Sequence, residues 1–421
     1  MAISVVHIVE NDFSGAGREA CRIHKSLMAL GVHSSVLVRR GSASTSVHIH
    51  TLRSTRRYAL AQVWKNVKLS MYKSVLPDTF TYFSDDRIGF DISDHPLVRE
   101  ADIIHLHWIT DFVDYTSFFR AIRGKRIIWT LHDCNAFLGG WHLLTDQQGY
   151  EQCLCERRSS HLLRSFMRSW LRGISRRMEQ AFAGQRMHIV APSLWMFKNV
   201  GLEQSLLRSF PKCHIPHGVD TTIFLPRPKD LARLRWKLPS DKTLLCFGSE
   251  YDAVNKGGKC FEKALSILSQ ERTLIDVGII VFGRATFNLS GISLPLYKLG
   301  MIYNEEEMSH CMSAADVTVV PSFEENCSLT VMESLACGTP VIASAVGGLP
   351  EQVQNGENGF LFPVCNAQEL AARVGAFLDL SAHQREAMRA RARESILQRF
   401  TAEKTGKEYL RLYEEVMSEE S

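Results

Sequence analysis

The feature that most constrains this chain is an alternation of short β-branched runs with longer helical stretches over nearly its whole length. In the first half the runs read SVVHIVE, HSSVLVRR, ADIIHLHW, RIIWTLHD, HIVAPS and CHIPHG. In the second half they read TLLCFGSE, VGIIVFG, DVTVVPS, PVIASA and GFLFPV. Helical stretches such as GREACRIHKSLMALG and GKCFEKALSILSQ lie between them. Strand–helix alternation predicts parallel sheets covered by helices on both faces. Two such series within 421 residues, each about the size of a Rossmann unit, predict two doubly wound α/β domains rather than one core. The join is expected near HGVDTTIFLPRPKD, where Gly218, Pro226 and Pro228 interrupt the pattern. The expected division is 1–215 for a first Rossmann-like domain, 216–395 for a second, and 396–421 for a terminal helix that packs back on the first. Ligands of open parallel sheets sit at the carboxyl ends of the strands, so two such domains facing each other are expected to form a cleft lined by those loops.

Composition narrows the class. Hydrophobic residues make up 45% and charged residues 22%, which fits a folded globular chain rather than a disordered one. No apolar run reaches the roughly 18 residues that a membrane-spanning helix needs. The start, MAISVVHIVEND, reads as a strand without a basic leader, so a cytoplasmic protein is expected. Eleven cysteines, an odd number scattered through apolar segments, read as reduced core residues. The net charge of +4 is unevenly spread. Between Glu19 and Asp78 there is no acid but ten Lys or Arg, and seven arginines fall between Arg157 and Arg177. The first half is therefore expected to meet something anionic.

The richest loop is PSFEENCSLTVMESLACGTPVIASAVGGLPEQVQNGENGF. A strand ends at Pro321-Ser322, Glu325 follows in a loop, a helix begins near Ser328, and Glu333 lies within it. The amides of Asn326, Cys327 and Ser328 are expected free at that helix start, where a diphosphate can be held. Glu325 suits sugar hydroxyls and Glu333 ribose hydroxyls, although acids near a helix start also serve simply as caps. In the first half, Gly15-Ala16-Gly17-Arg18-Glu19-Ala20 follows a strand in the G-x-G-x-x-G/A pattern. The acid that a dinucleotide site wants about 20 residues on is missing, so the loop reads as a turn admitting the donor diphosphate or the acceptor, or as a plain tight turn.

These strings together resemble the retaining GT-B glycosyltransferases of glycosyltransferase family 4. Glu325 and Glu333 match that family's two glutamates separated by seven residues, with Gly338-Thr339-Pro340 and Gly347-Gly348-Leu349-Pro350-Glu351 after them. LHDCNAFLGGWH resembles its Thr-x-His-Asp loop, here Thr130, His132 and Asp133. IPHGVDTTIF resembles its interdomain Pro-Asn-Gly-Val-Asp segment, with His217 in place of Asn. NKGGKCFEKAL resembles its Lys-Gly element, here Lys256 and Gly257. The family's preceding Arg is absent, since that position reads Gly248-Ser249; Lys259 or Arg284 compensates, or phosphate binding is weaker.

The resemblance implies retaining transfer of a hexose from a nucleoside-diphosphate sugar, with no metal and no further cofactor. It assigns Lys256 to the leaving diphosphate and His132 to the donor sugar near the reacting centre, with front-face attack and the leaving phosphate oxygen taking the acceptor proton. His105 and His107 also follow a strand and are expected to line the acceptor side. Cys134, His142, Cys153 and Cys155 form a possible metal set, but Cys153-Leu154-Cys155 is tighter than structural zinc spacing, and reduced thiols are the simpler reading. HLLRSFMRSWLRGISRRM carries Leu162, Leu163, Phe166, Met167, Trp170, Leu171 and Ile174 on one side and Arg164, Arg168 and Arg172 on another. It suits an anionic leaflet or, equally, packing on its own domain; LAQVWKNVKLSMYKSV is a weaker second case. No nucleic-acid module is present in the sequence. The expected setting is bacterial surface-polysaccharide or lipopolysaccharide assembly on a lipid-linked or polysaccharide acceptor at the inner membrane face. A sugar-nucleotide epimerase and a non-catalytic GT-B scaffold are the rivals.

Overall fold

The computed structural model describes residues 3–42, 48–52, 56–76, 80, 82–155, 161–249, 254–284 and 292–419. Contacts divide the chain into two compact units, Met1–Pro216 with Thr405–Ser421, and His217–Lys404. Each contains one parallel sheet.

The first sheet has seven strands: β1 (Ser4–Asn11), β2 (His33–Arg40), β3 (Ile49–Thr51), β4 (Ile103–Leu106), β5 (Arg126–Thr130), β6 (Arg186–Ala191) and β7 (Lys212–His214). Their order is β3-β2-β1-β4-β5-β6-β7. β1 is buried from Val5 to Asn11 because helices cover both faces of the sheet. The second sheet has β8 (Thr243–Ser249), β9 (Val277–Gly283), β10 (Leu296–Gly300), β11 (Val317–Val320), β12 (Val341–Ser344) and β13 (Gly359–Phe362), in the order β10-β9-β8-β11-β12-β13. In both sheets the order reverses beside the first strand, between β1 and β4 and between β8 and β11. The crevice outside a doubly wound sheet opens at that switch point. β3 and β10, the two strands missing from the sequence reading, are short edges of their sheets.

The helix Ala402–Ser418 returns to the first unit after its opening turn. It buries Tyr409 and Tyr413 completely, together with Leu412 and Val416, beside Ile23, Leu27, Ile103 and Ile128. Each tyrosine ring contributes about 2–3 kcal/mol of burial. Gly406 permits the close approach, since a Cβ there would meet Ser26 Cβ at 2.6 Å. Residues 396–404, grouped in sequence with this helix, pack with the second unit instead.

The structure bears on two surface readings. The stretch without acids in sequence is not without acids in space. Glu10 binds Arg39 and, at 2.8 Å, Arg40. Asp111 binds the buried Lys65 at 2.9 Å, and in the second basic block Arg177 is bound by Asp86 at 2.6 Å. The apolar side of the helix His161–Phe182 faces its own unit: Met167, Ile174 and Met178 are fully buried, with Trp170 and Leu171 packed on the same core. Only Leu162 and Phe166 of that side are exposed, while Arg168, Arg172 and Arg176 lie on the outer surface. The helix Arg56–Tyr72, the weaker case in sequence, carries the larger exposed stripe: Leu60, Val63, Trp64, Val67 and Met71 are 43–66% exposed. No helix among the described residues is long and apolar enough to cross a membrane.

Candidate functional site

In the second unit, the loops that follow β8 and β11 meet at the switch point. Lys256 Nζ donates to Glu325 Oε2 at 2.8 Å, with side chains 35% and 14% exposed. Backbone contacts hold both loops. Phe323 N donates to Asn255 O at 2.7 Å, and Gly257, at φ +73°, lies so close to the Pro321 carbonyl that a Cβ would stand 1.9 Å from its oxygen. Below Glu325 runs the Gly347-Gly348 turn. Gly347 has φ +56°, a Cβ there would stand 1.8 Å from Glu325 O, and Gly348 N donates to that oxygen at 3.0 Å. Glycine is required at these positions both for backbone angle and for space.

The following helix, Leu329–Ala336, makes its first internal hydrogen bond from Met332 N to Ser328 O. The amides that precede this bond are those of Leu329, Thr330 and Val331. The expectation that Ser328 offers a free amide is corrected: Ser328 N donates to Gln352 Oε1 at 3.0 Å, and Gln352 Nε2 returns a bond to Ser328 O at 3.1 Å. Gln352 is 2% exposed and clamps the helix start, a role that no local sequence signal beside Pro350-Glu351 announces. Asn326 and Cys327 are half-buried just before it. Glu333 is on the same helix but only 1% exposed, so it is a core carboxylate rather than an open one. The side chain of Ser249, where the family's Arg is missing, lies outside the described residues. Lys259 is in the first turn of the helix Gly258–Glu271, and Arg284 is exposed just past β9.

In the first unit, the loops after β1, β4 and β5 carry the polar residues. His132 follows β5 and is half-buried; burial pushes its pKa down to about 4, against the pull of Asp133. Asp133 accepts from Asn135 N at 2.9 Å, from Trp108 Nε1 at 2.5 Å and bonds His142 Nδ1 at 2.6 Å. Burial alone raises a carboxyl, but here His142 and these donors outweigh it and hold Asp133 below its ordinary range. His142 Nε2 in turn meets Ser84 Oγ at 2.9 Å. With both ring nitrogens so engaged, His142 acts as a strut under Asp133. Cys134 is buried beside it, and the side chains of Cys153 and Cys155 lie outside the described residues.

The glycine loop is tight for its own reasons. Ser14 caps the helix Gly15–Ala29 by accepting from Gly17 N at 3.3 Å, and a Cβ on Gly17 would stand 2.0 Å from Asn11 O. Gly15 has open space around it. Glu10, next to this loop, is 1% exposed; burial would raise its carboxyl, but hydrogen bonds from Arg40 and Asn11 and the charge of Arg39 hold it below the usual range.

His105 and His107 do not line an open surface, correcting the expectation. They are 0% and 2% exposed. His105 lies within β4, with Nδ1 2.6 Å from Tyr413 Oη and Nε2 2.8 Å from Thr130 Oγ1. Thr130 Oγ1 also meets Tyr409 Oη at 2.8 Å, so the returning helix is keyed to β4 and β5 by two hydroxyls. His107 joins His132 to His7, a residue the sequence reading passed over because a single His inside an apolar strand carries no spacing signal.

Residues 297–395 match the family model described as Glycosyl transferases group 1. The D-inositol 3-phosphate glycosyltransferase of Arthrobacter sp. (strain FB24) is 30% identical over 186 residues, which is 42% of this chain and 44% of that protein. The chain thus spans under half the length of the curated relatives it matches. Sucrose-phosphate synthase from Thermosynechococcus elongatus has a similar structure at TM-score 0.67 and 18% identity, over 99% of both chains. Anabaena Alr3699/HepE, solved in complex with UDP-glucose, is similar at TM-score 0.65 and 16% identity, over 98% of this chain and 100% of its own. The two parallel-sheet units are therefore those of the GT-B fold.

Proposed function

We propose that this chain is a retaining glycosyltransferase. In this reading it moves a hexose from a nucleoside-diphosphate sugar to a lipid-linked or polysaccharide acceptor in cell-surface polysaccharide assembly, without a metal. The observation that carries the reading is the Lys256–Glu325 pair at the switch point of the second sheet, beside a helix start and braced by Gly257 and Gly347. The segment that matches the glycosyltransferase model contains Glu325. A complex of a structural neighbour with UDP-glucose supports a nucleotide-sugar donor.

In this reading the diphosphate takes Lys256 from Glu325. The ammonium and the first amides of the helix Leu329–Ala336 then stabilise negative charge on the leaving group, where fixed dipoles and cations are most effective. Released from the lysine, Glu325 accepts hydrogen bonds from sugar hydroxyls. His132, neutral at physiological pH, is the residue that the resemblance assigns to the sugar. The acceptor attacks from the face the leaving group departs, and a phosphate oxygen takes its proton, so no protein nucleophile is required. The apolar stripe from Leu60 to Met71 supports an anionic membrane surface on the cytoplasmic side as the place where a lipid-linked acceptor is met.

Equilibrium binding tests the donor site. UDP, GDP and ADP are titrated into the full chain and into Lys256→Ala. One of them should bind, and loss of the charge-assisted contact should weaken it by about 10–100-fold. A folded wild-type chain that binds none of the three, or a Lys256→Ala variant that binds equally well, contradicts the reading.

A further inference from the structure

Three imidazoles run in series from the core of the first unit to the loop after β5. His7 Nδ1 lies 3.0 Å from His107 Nε2, and His107 Nδ1 lies 3.1 Å from His132 Nε2. The ladder sets this up. β1 pairs with β4 so that His7 stands opposite His105, and the two-residue period of a strand puts His107 on the same face. His107 is fixed through its backbone as well: its N donates to Ile8 O at 3.0 Å, and its O accepts from Trp129 Nε1 at 2.9 Å. At the inner end, His7 Nε2 is buried with no hydrogen-bond partner.

A neutral imidazole carries one N–H, so one nitrogen donates and the other accepts. Burial holds His7 and His132 below their ordinary pKa, and hence neutral near pH 7. With one proton on each ring, a row of three has only two proton orders that make both hydrogen bonds. In one, His7 Nδ1–H donates to His107, His107 Nδ1–H donates to His132 Nε2, and the proton of His132 is on Nδ1. The unmet atom is then a bare lone pair on His7 Nε2. In the other order every proton is reversed, and the unmet atom is a buried N–H, the rarer and costlier orphan. We propose that the buried His7–His107 pair fixes the tautomer of His132, so that His132 bears its proton on Nδ1 and offers a hydrogen-bond donor rather than a base. His7 and His107 are thus positioning residues. That the recipient is a sugar or phosphate oxygen rests on the transferase reading above; the tautomer itself does not.

The test is a two-bond ¹H–¹⁵N correlation spectrum of the full chain with ¹⁵N-labelled histidine at pH 7.5. The His132 ring is identified by the signals lost in His132→Gln. A protonated Nδ1 and a bare Nε2 are expected; a protonated Nε2 overturns the proposal. His7→Asn keeps an amide N–H where Nδ1 stood and should leave the His132 pattern unchanged. His7→Leu keeps the bulk without the donor and should give an average of both tautomers. A His7→Leu spectrum identical to wild type overturns the proposal, and if that variant does not fold, the wild-type and His7→Asn spectra still decide. A transition metal retained at one per chain through purification also overturns it, because a metal on His7 or His107 would displace the proton the row depends on. None of these readouts needs turnover. An inactive chain with Nδ1–H on His132 would sink the transferase reading and leave the tautomer standing.

Discussion

Gly347→Ala and Gly356→Ala form a pair that separates backbone strain from the support of Glu325. Both glycines are left-handed, at φ +56° and +84°. Around Gly356 nothing lies within 4 Å of a built Cβ, so alanine there carries only the conformational cost, about 1–2 kcal/mol. At Gly347 the methyl would overlap the Glu325 carbonyl at 1.8 Å, and the Gly348 N–H bond to that carbonyl must lengthen or break. The lost bond adds about 1 kcal/mol and the forced backbone shift about 1 kcal/mol more, giving about 3–4 kcal/mol in all. At about 2–4 °C per kcal/mol for a unit of this size, calorimetry should show Gly347→Ala melting well below Gly356→Ala. Because the shift falls on Glu325, which this account sets against the sugar, nucleotide-sugar affinity should drop in Gly347→Ala and not in Gly356→Ala. Two variants that melt together and bind alike would refute the claim that Gly347 is the floor of the site.

Stability of the first unit should fall as pH drops from about 6.5 to 5. The pKa of His132 is about 4 when folded and 6.5 when free, so over that window the unfolded state holds more protons. The contribution is full above pH 6.5 and is lost toward pH 4, with a slope of up to about 1.4 kcal/mol per pH unit; a urea midpoint flat from pH 7 to 5 would contradict it. Tyr413→Phe removes the hydroxyl on His105 without removing the ring and should cost about 1 kcal/mol in urea unfolding; an unchanged midpoint would show that bond to be idle. Leu60→Ser with Trp64→Ser should reduce sedimentation with anionic vesicles while leaving Tm unchanged, since the two side chains are 63% and 66% exposed. Equal sedimentation would remove the stripe as a membrane contact.

Much of the fold was legible because strand and helix periods alternate cleanly, and parallel sheets demand apolar strands. β3 and β10 escaped because a three- or five-residue edge strand has few buried positions to betray it. The site was legible where chemistry is local in sequence: Lys256 and Glu325 belong to recognisable loops. It was not legible where partners come from distant strands. Nothing near Arg39 or Arg40 announces Glu10, nothing near Lys65 announces Asp111, and the row from His7 through His107 to His132 exists only once β1, β4 and β5 are adjacent. The helix His161–Phe182 shows the converse. Its amphipathic pattern was correct, but a pattern does not say whether the apolar side meets lipid or its own core.

The central claim is sugar transfer, and acceptor-dependent release of nucleoside diphosphate tests it most directly. A panel of nucleotide sugars is supplied to the purified chain with and without a membrane extract. The account predicts release with one donor only when extract is present, a product that keeps the donor's anomeric configuration, and loss of both in Lys256→Ala and Glu325→Ala with little change in Tm. A folded chain that releases nothing from any donor, or variants that turn over at the wild-type rate, would contradict it.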